Sequence, residues 1–278
     1  MIVEAPSGKR ARDENFPVGS WLLPAAIRPH VAVFYAYARA IDDIADNPRL
    51  EGHEKISRLN GFEAALRDPD SSAAGFAKAH AIRDSMTATN VAARHCIDLL
   101  GAFRQDATKN RYASWSQLID YCLLSAAPVG RYLIDLHGES PAAYPASDAL
   151  CNALQILNHL QDCQDDHATL DRVYLPGDWM AQAGVSVAAL AAPAASAGLR
   201  QVLDKCLDAT EALLDIARGL PSQLRNTRFA VEAAMIVRIA RRLAVELRRR
   251  DPLAERVVLH KLAYIGCGMA GLWDALRR

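Results

Sequence analysis

Two acidic clusters, each set at helical spacing inside an apolar stretch, constrain this chain more than any other feature. The first, Asp42-Asp43-Ile44-Ala45-Asp46, ends the run from Val31 to Ile41. The second, Asn158-His-Leu-Gln-Asp162-Cys-Gln-Asp165-Asp166, follows the run from Ala149 to Leu157. Residues three and four apart share a helix face. Asp42 and Asp46 therefore stack on one side, about 6 Å apart along the axis, and Arg39 and Tyr35 extend that stripe. On the second helix Asn158, Asp162 and Asp166 recur at every fourth position.

The ordinary reading of an acidic run is a solvated helix face. Here Phe34, Ile41 and Ile44 flank the first cluster, and Ile156, Leu157 and Leu160 flank the second. Like charges four apart repel, so the stacking is costly unless a cation compensates. Mg²⁺ takes oxygen ligands, keeps several waters and binds a few carboxylates together with substrate phosphate oxygens. Carboxylates and one Asn amide oxygen suit it, and no zinc-like histidine or cysteine pattern accompanies them. Two such faces imply a multi-Mg²⁺ site for a diphosphate, and so an enzyme that ionises an isoprenoid. Asp43 and Asp165 lie off the stripes by about 100°, which predicts a supporting or solvated role for each.

The rest of the chain reads as helix. Helical periodicity with Ala, Leu and Arg predicts segments at about 25–46, 52–67, 73–101, 114–137, 147–167, 197–219, 227–250 and 254–276. No alternating strand pattern of useful length appears. Punctuation falls at Pro48, Asp68-Pro69, Gly138 to Pro145, Pro176-Gly177, Pro221 and Asp251-Pro252. Pro128 lies inside an otherwise helical run from Tyr121 to Gly130, where it predicts a kink. The uncharged stretch Met180 to Leu199 is too weakly hydrophobic to span a membrane and reads as short helical pieces. The expected fold is one all-α domain over residues 15–278, a helical bundle of the isoprenoid-synthase type with a central cavity.

Composition sets outer limits. The 32 basic and 32 acidic residues cancel, which gives no reason to expect nucleic acid as a partner. Six cysteines without a CxxC pair fit free thiols in a reducing compartment, and the expected location is cytoplasmic. Residues 1–14 are polar and lack an export-signal core, and they read as a mobile tail. The arginines of Arg238 to Arg250 read first as a solvated helix face and second as a weak attraction to anionic lipid. The run Val257 to Trp273 reads first as a packed helix and second as a peripheral membrane contact.

Three separated motifs carry a resemblance to the squalene/phytoene synthase family from about residue 15 onward. They are Tyr35-Ala-Tyr-Ala-Arg39-Ala-Ile-Asp42-Asp43-Ile-Ala-Asp46, Tyr121-Cys-Leu-Leu-Ser-Ala-Ala-Pro-Val-Gly130, and Asn158 to Asp166 followed by Leu170-Asp-Arg172-Val-Tyr174-Leu-Pro176. The branch it is most similar to is the hydroxysqualene synthases of bacterial hopanoid pathways. That similarity rests on Gln161-Asp-Cys163, Leu170 to Pro176, Asn15 to Ser20 with Leu22 to Pro24, Pro128 to Arg131, and Asp251 to Val257. Many members carry basic residues near the N-terminus and Arg before the second-motif aspartate; this chain has Asn15 to Ser20 without Lys or His, and Gln161. Losing two cations suits an enzyme that binds one diphosphate rather than two.

The resemblance implies conversion of presqualene diphosphate and water to hydroxysqualene and diphosphate, with Mg²⁺ as cofactor. It implies Asp42, Asp46, Asp162 and Asp166 as catalytic, with Asp43 and Asn158 added to them as metal ligands. It assigns Arg39, Tyr35, Tyr121, Ser125, Ala126, Gly130, Gln155, Asn158, Arg172 and Tyr174 to the substrate. Several have a plainer alternative: an intrahelical pair with Asp42 or Asp43 for Arg39, a structural pair with Asp171 or Asp166 for Arg172, and close helix packing for Tyr121, Ser125, Ala126 and Gly130. His159 reads as a packed residue. A sister synthase that makes presqualene diphosphate is the expected transient partner. The rival readings are a presqualene diphosphate, squalene or phytoene synthase and a helical scaffold without chemistry; a di-iron bundle lacks its Glu-x-x-His pair.

Overall fold

The structure, a computed structural model, describes residues 23–68, 70, 75–260, 264, 266, 267 and 271. The expected tail at 1–14 and the segment Asn15 to Ser20 lie outside the described residues. The chain divides into two compact units, one of residues 1–108 and 128–141, the other of residues 109–127 and 142–278. Among the described residues there is no β-strand, only an isolated bridge between Arg111 and Val173.

The first unit holds α1 (Arg28–Ala45), α2 (Gly52–Arg67), α3 (Ala77–Thr89), α4 (Arg94–Asp106) and, from Pro128 on, α6 (Ala127–Leu136). Pro29 sits in the first turn of α1, where a missing N–H costs nothing. Val31, Phe34, Tyr37, Ala40, Ile41 and Ile44 then recur at helical spacing and are all buried. Their partners include Leu59, Phe62, Ile82, Cys96, Leu99 and Leu100. Tyr132 lies over Phe34, ring centroids 3.9 Å apart, and Tyr37 donates its hydroxyl to the Cys96 carbonyl at 3.0 Å. At Gly61 the α2 backbone passes beneath the Phe76 ring so closely that a Cβ would meet it at 2.4 Å.

The second unit holds α5 (Trp115–Ser125), α7 (Tyr144–Gln161), α8 (Cys163–Leu170), α9 (Gly177–Gln182), α10 (Ala197–Ala217), α11 (Leu220–Gln223) and α12 (Thr227–Arg249). Three of these starts carry a side-chain cap: Ser114 on α5, Ser196 on α10 and Asn226 on α12. Helix α7 packs against α10, α12 and α5. It buries Ala149, Leu150, Ala153, Ile156, Leu157 and Leu160, and α10 buries Leu199, Val202, Leu203, Cys206 and Leu207. Arginines of α12 meet acids of α10, Arg241 with Asp215 at 2.5 Å and Arg248 with Asp208 at 2.7 Å.

Several expected helices are shorter than their periodicity suggests. The 73–101 segment splits at Asn90, which turns left-handed (φ 56°, ψ 32°) and ends α3; asparagine tolerates that region better than most residues. The 114–137 segment splits between Ser125 and Ala127, beside Pro128 as expected. The 147–167 segment starts at Tyr144 and breaks at Asp162. Met180 to Leu199 forms the end of α9, a 3₁₀ turn at Val187–Ala191 and the start of α10. In the 254–276 segment, residues 256–260 are not helical, while 264, 266, 267 and 271 are. Among the described residues no helix is long and apolar enough to cross a membrane.

Candidate active site

The first acidic cluster is the last turn of α1. Asp46 caps that helix, its N–H bonded to the Asp42 carbonyl at 2.9 Å, so Asp42 and Asp46 keep the expected common face. Arg39 spans both neighbours, with Nη1 2.8 Å from Asp42 Oδ2 and Nη2 2.7 Å from Asp43 Oδ1. The intrahelical pair is therefore formed twice over. Asp43 is not solvated: its side chain is 7% exposed, against 28% for Asp42. Burial with Arg39 makes Asp43 a support for the arginine, while Asp42, Asp46 and Tyr35 are half-buried and reach the surface. Gly130 is buried within α6 of the same unit.

The second cluster straddles the break between α7 and α8. Asp162 sits between the helices (φ −105°, ψ 9°). Its N–H still bonds to the Asn158 carbonyl at 3.0 Å, and the Asp166 N–H bonds to the Asp162 carbonyl at 2.8 Å. The i→i+4 register thus runs through all three predicted ligands although the helix is interrupted. Each of the three is half-buried, whereas Asp165 is exposed, in line with a solvated role.

Behind this face lies an aromatic group. His159 stacks on Tyr174 with ring centroids 3.5 Å apart, and Tyr121 stands 5.8 Å from Tyr174 and 6.2 Å from His159. Tyr112 closes the group, 5.2 Å from Tyr121 and 5.6 Å from Tyr174. Burial, and next the positive charge of Arg172, push the His159 imidazole down to about 3, so the ring is neutral near pH 7. The Gln155 amide nitrogen lies 3.2 Å from His159 Nε2. An amide N–H there donates, which leaves the ring proton on Nδ1, the nitrogen 4.0 Å from Asp166 Oδ2. His159 is a packed, neutral hydrogen-bonding residue, as its sequence context predicts.

Arg172 and Tyr174 owe their position to a tethered loop. Asp171 ends α8 in the left-handed region (φ 51°, ψ 33°) and is held by Arg111, whose Nη2 lies 2.5 Å from Asp171 Oδ1. Val173 N–H then bonds to the Asn110 carbonyl at 2.9 Å, and Gly177 N–H to the Tyr112 carbonyl at 2.9 Å. Extended backbone between these ties puts residues two apart on one side. Arg172, 6% exposed, and Tyr174, 8% exposed, share that side. Asp171 pairs with Arg111 rather than with Arg172, so the side-chain pair foreseen for Asp171 is made by another residue.

Two residues of the site have no counterpart in the sequence reading. Gln161, read only as a missing arginine, is buried and donates to the Val257 carbonyl at 2.5 Å. That bond fastens the extended segment 256–260 to the end of α7. It sets Arg256 beside the second cluster, Nη2 3.8 Å from Asp162 Oδ1, on a side chain 73% exposed. The signal was present in Asp251 to Val257, a segment noted for its resemblance and not for its charge.

Among the described residues no group of three or more His, Cys, Asp or Glu side chains is gathered to hold a metal ion unaided. Magnesium does not require one, because it keeps waters and takes phosphate oxygens alongside one or two carboxylates. The donor chemistry of each cluster fits that ion: Asp42 with Asp46, and Asp162 with Asp166 and the Asn158 amide oxygen.

Residues 9–263 match the model of the squalene/phytoene synthase family. Hydroxysqualene synthase from Rhodopseudomonas palustris is 42% identical over 262 residues, covering 94% of this chain and 89% of that protein. Hydroxysqualene synthase from Sinorhizobium fredii is 40% identical, covering 96% of this chain and 90% of its own length. The crystal structure of squalene synthase HpnC from Alicyclobacillus acidocaldarius superposes with a TM-score of 0.76 at 30% identity, over 86% of this chain and 90% of that one. With its helices, its acid register and these matches in agreement, the chain belongs to the squalene/phytoene synthase family.

Proposed function

We propose that this protein converts presqualene diphosphate and water to hydroxysqualene and diphosphate, with Mg²⁺. The observation that carries the reading is the unbroken register of Asn158, Asp162 and Asp166 across the helix break, with Arg256 beside Asp162 and aromatic rings behind. Asp42, Asp46, Asn158, Asp162 and Asp166 would hold the magnesium ions. When bound, magnesium supplies positive charge to the oxygens of the leaving diphosphate.

The chain's own residues do the rest. Arg256 is exposed enough to turn from Asp162 to a phosphate oxygen, and Arg172 adds a fixed positive charge nearby. The ester C–O bond breaks with its electron pair leaving on diphosphate, and a cyclopropylcarbinyl cation remains. Electron-rich faces of Tyr121 and Tyr174 suit a cation beside them. Neutral His159 presents no competing positive charge. The cation rearranges, water forms the new C–O bond, and the proton lost from that water passes to the diphosphate. Nothing is oxidised or reduced, so no reductant is consumed. The proposal includes a sister synthase as the source of the substrate and a peripheral contact with the membrane that stores it.

The test is product analysis from presqualene diphosphate with purified protein. Hydroxysqualene is expected with Mg²⁺ and without NADPH, and none is expected with chelator. Asp162→Asn is expected to lower kcat on the order of 10²-fold or more. Efficient C30 product from farnesyl diphosphate alone would replace this reading with a condensing synthase.

A further inference from the structure

Four helical threonines in this protein return their proton to the preceding turn. Thr87, Thr89, Thr169 and Thr210 each donate to the carbonyl four residues back, at 2.7 to 2.9 Å. Ser125, the last residue of α5, does not. Its Oγ is shut from solvent and has no hydrogen-bond partner among the described residues. A buried hydroxyl left this way is destabilising unless something else fills the role.

Ser125 lies one turn after Tyr121 on the same face of α5, and Tyr121 belongs to the aromatic group behind the acid register. The helix stops here: Ala126 departs from helical geometry (φ −117°, ψ −48°), and residue 128 is proline. Pro128 has no N–H, so the Leu124 carbonyl lacks its helical donor. The residue before the hydroxyl thus carries a carbonyl without its helical donor, and Ala126 and Ala127, which follow, are buried. A water molecule needs two or more polar partners in such a place.

We propose that Ser125 Oγ, with the Leu124 carbonyl, holds the water that captures the carbocation, a step that rests on the function proposed above. Ser125 Oγ accepts one proton of this water and the Leu124 carbonyl accepts the other. The water oxygen keeps a lone pair free to form the C–O bond. The surplus proton of the resulting oxonium passes to the released diphosphate. Ser125 is thus a positioning residue that decides which product forms and leaves ionisation alone. The alternative end of the cation is loss of a proton to a hydrocarbon.

The experiment measures two quantities on the intact protein with presqualene diphosphate and Mg²⁺: the rate of diphosphate release, and the ratio of hydroxysqualene to C30 hydrocarbons and other alcohols. For Ser125→Ala the hydroxysqualene share of the products is expected to fall at least about fivefold, a larger loss than any in the release rate. Ser125→Thr, which keeps the hydroxyl, is expected to restore most of the share. An unchanged product ratio in Ser125→Ala overturns the inference. So does an equal fall in release and in hydroxysqualene with the fold intact by circular dichroism. Should Ser125→Ala fail to fold, Ser125→Cys keeps a side chain of similar shape with a weaker acceptor, and a parent-like ratio in it counts against the proposal. A parent protein that releases no diphosphate from presqualene diphosphate removes the function proposed above, and this step with it; a parent that releases it separates the two.

Discussion

Aspartates four apart on a helix push on one another, and this chain bears that cost at two places. At the first, Arg39 relieves part of it by bridging Asp42 and Asp43. At the second, Arg256 lies 3.8 Å from Asp162. An arginine so exposed adds little to stability through that pair, and its value lies with an incoming anion. Replacing Arg256 by Gln is expected to leave the melting temperature almost unchanged. It is expected to lower kcat/KM for the diphosphate substrate about tenfold, the low end of a charge-assisted contact. A fall in stability without a change in kcat/KM would contradict that assignment. The acids expected as metal ligands stand out in the sequence because charge inside an apolar helical run is conspicuous. Arg256 does not, because a lone arginine on an extended strap has no periodic context. The isolation of Ser125 Oγ was illegible too, since it depends on a hydrogen bond that neighbouring threonines make and this serine does not.

Helices were legible as segments and less so as lengths. Apolar spacing locates α1, α2, α10 and α12 to within a few residues, because each buries one continuous stripe. The breaks at Asn90 and Asp162 leave no such trace. Both residues are polar and neither is Gly or Pro; after Asn90 the apolar face resumes in α4 at Cys96, Leu99 and Leu100. At Asp162 the interruption is nearly silent, since both flanking i→i+4 bonds persist. Close contact between elements is equally hidden from sequence. Gly61 lies mid-helix in α2, where Ala is intrinsically better by about 1 kcal/mol. Its missing side chain leaves room for Phe76, and Phe76 is held edge-on against Phe62 at 5.3 Å. The ring has little freedom to retreat, and overpacking costs about 1–3 kcal/mol. Gly61→Ala is therefore expected to destabilise the protein by about 1 kcal/mol net, measured by denaturant unfolding. A stabilised variant would mean that Phe76 yields.

For the molecule as a whole, formal charge is balanced; on α12, Arg241 and Arg248 pair with acids of α10, and Arg242 pairs with Glu246 of its own helix. A peripheral contact would involve the run Val257 to Trp273, much of which lies outside the described residues. Ligand linkage gives a global readout of the proposed site. A ligand at about 100 times its dissociation constant stabilises the folded state by ~2.7 kcal/mol. Mg²⁺ and inorganic pyrophosphate together are expected to raise the melting temperature by several degrees, and each alone far less, because the acids need the cation and the cation needs the anion. Equal shifts from pyrophosphate alone would argue against shared coordination.

The path of the chain between its two units has a consequence for how the protein is made. The backbone leaves the first unit after Thr108, returns at Pro128 and departs again after Pro141. Tyr132, which covers Phe34 and donates to the His30 carbonyl at 3.4 Å, arrives only on that return visit. A nascent chain that has emerged through α4 still exposes the Phe34 ring, and translation must continue past residue 132 before that surface is sealed. Proteolytic nicking or early termination between α4 and α6 would strand a four-helix fragment with an open greasy flank, a natural substrate for chaperones rather than a stable folding intermediate.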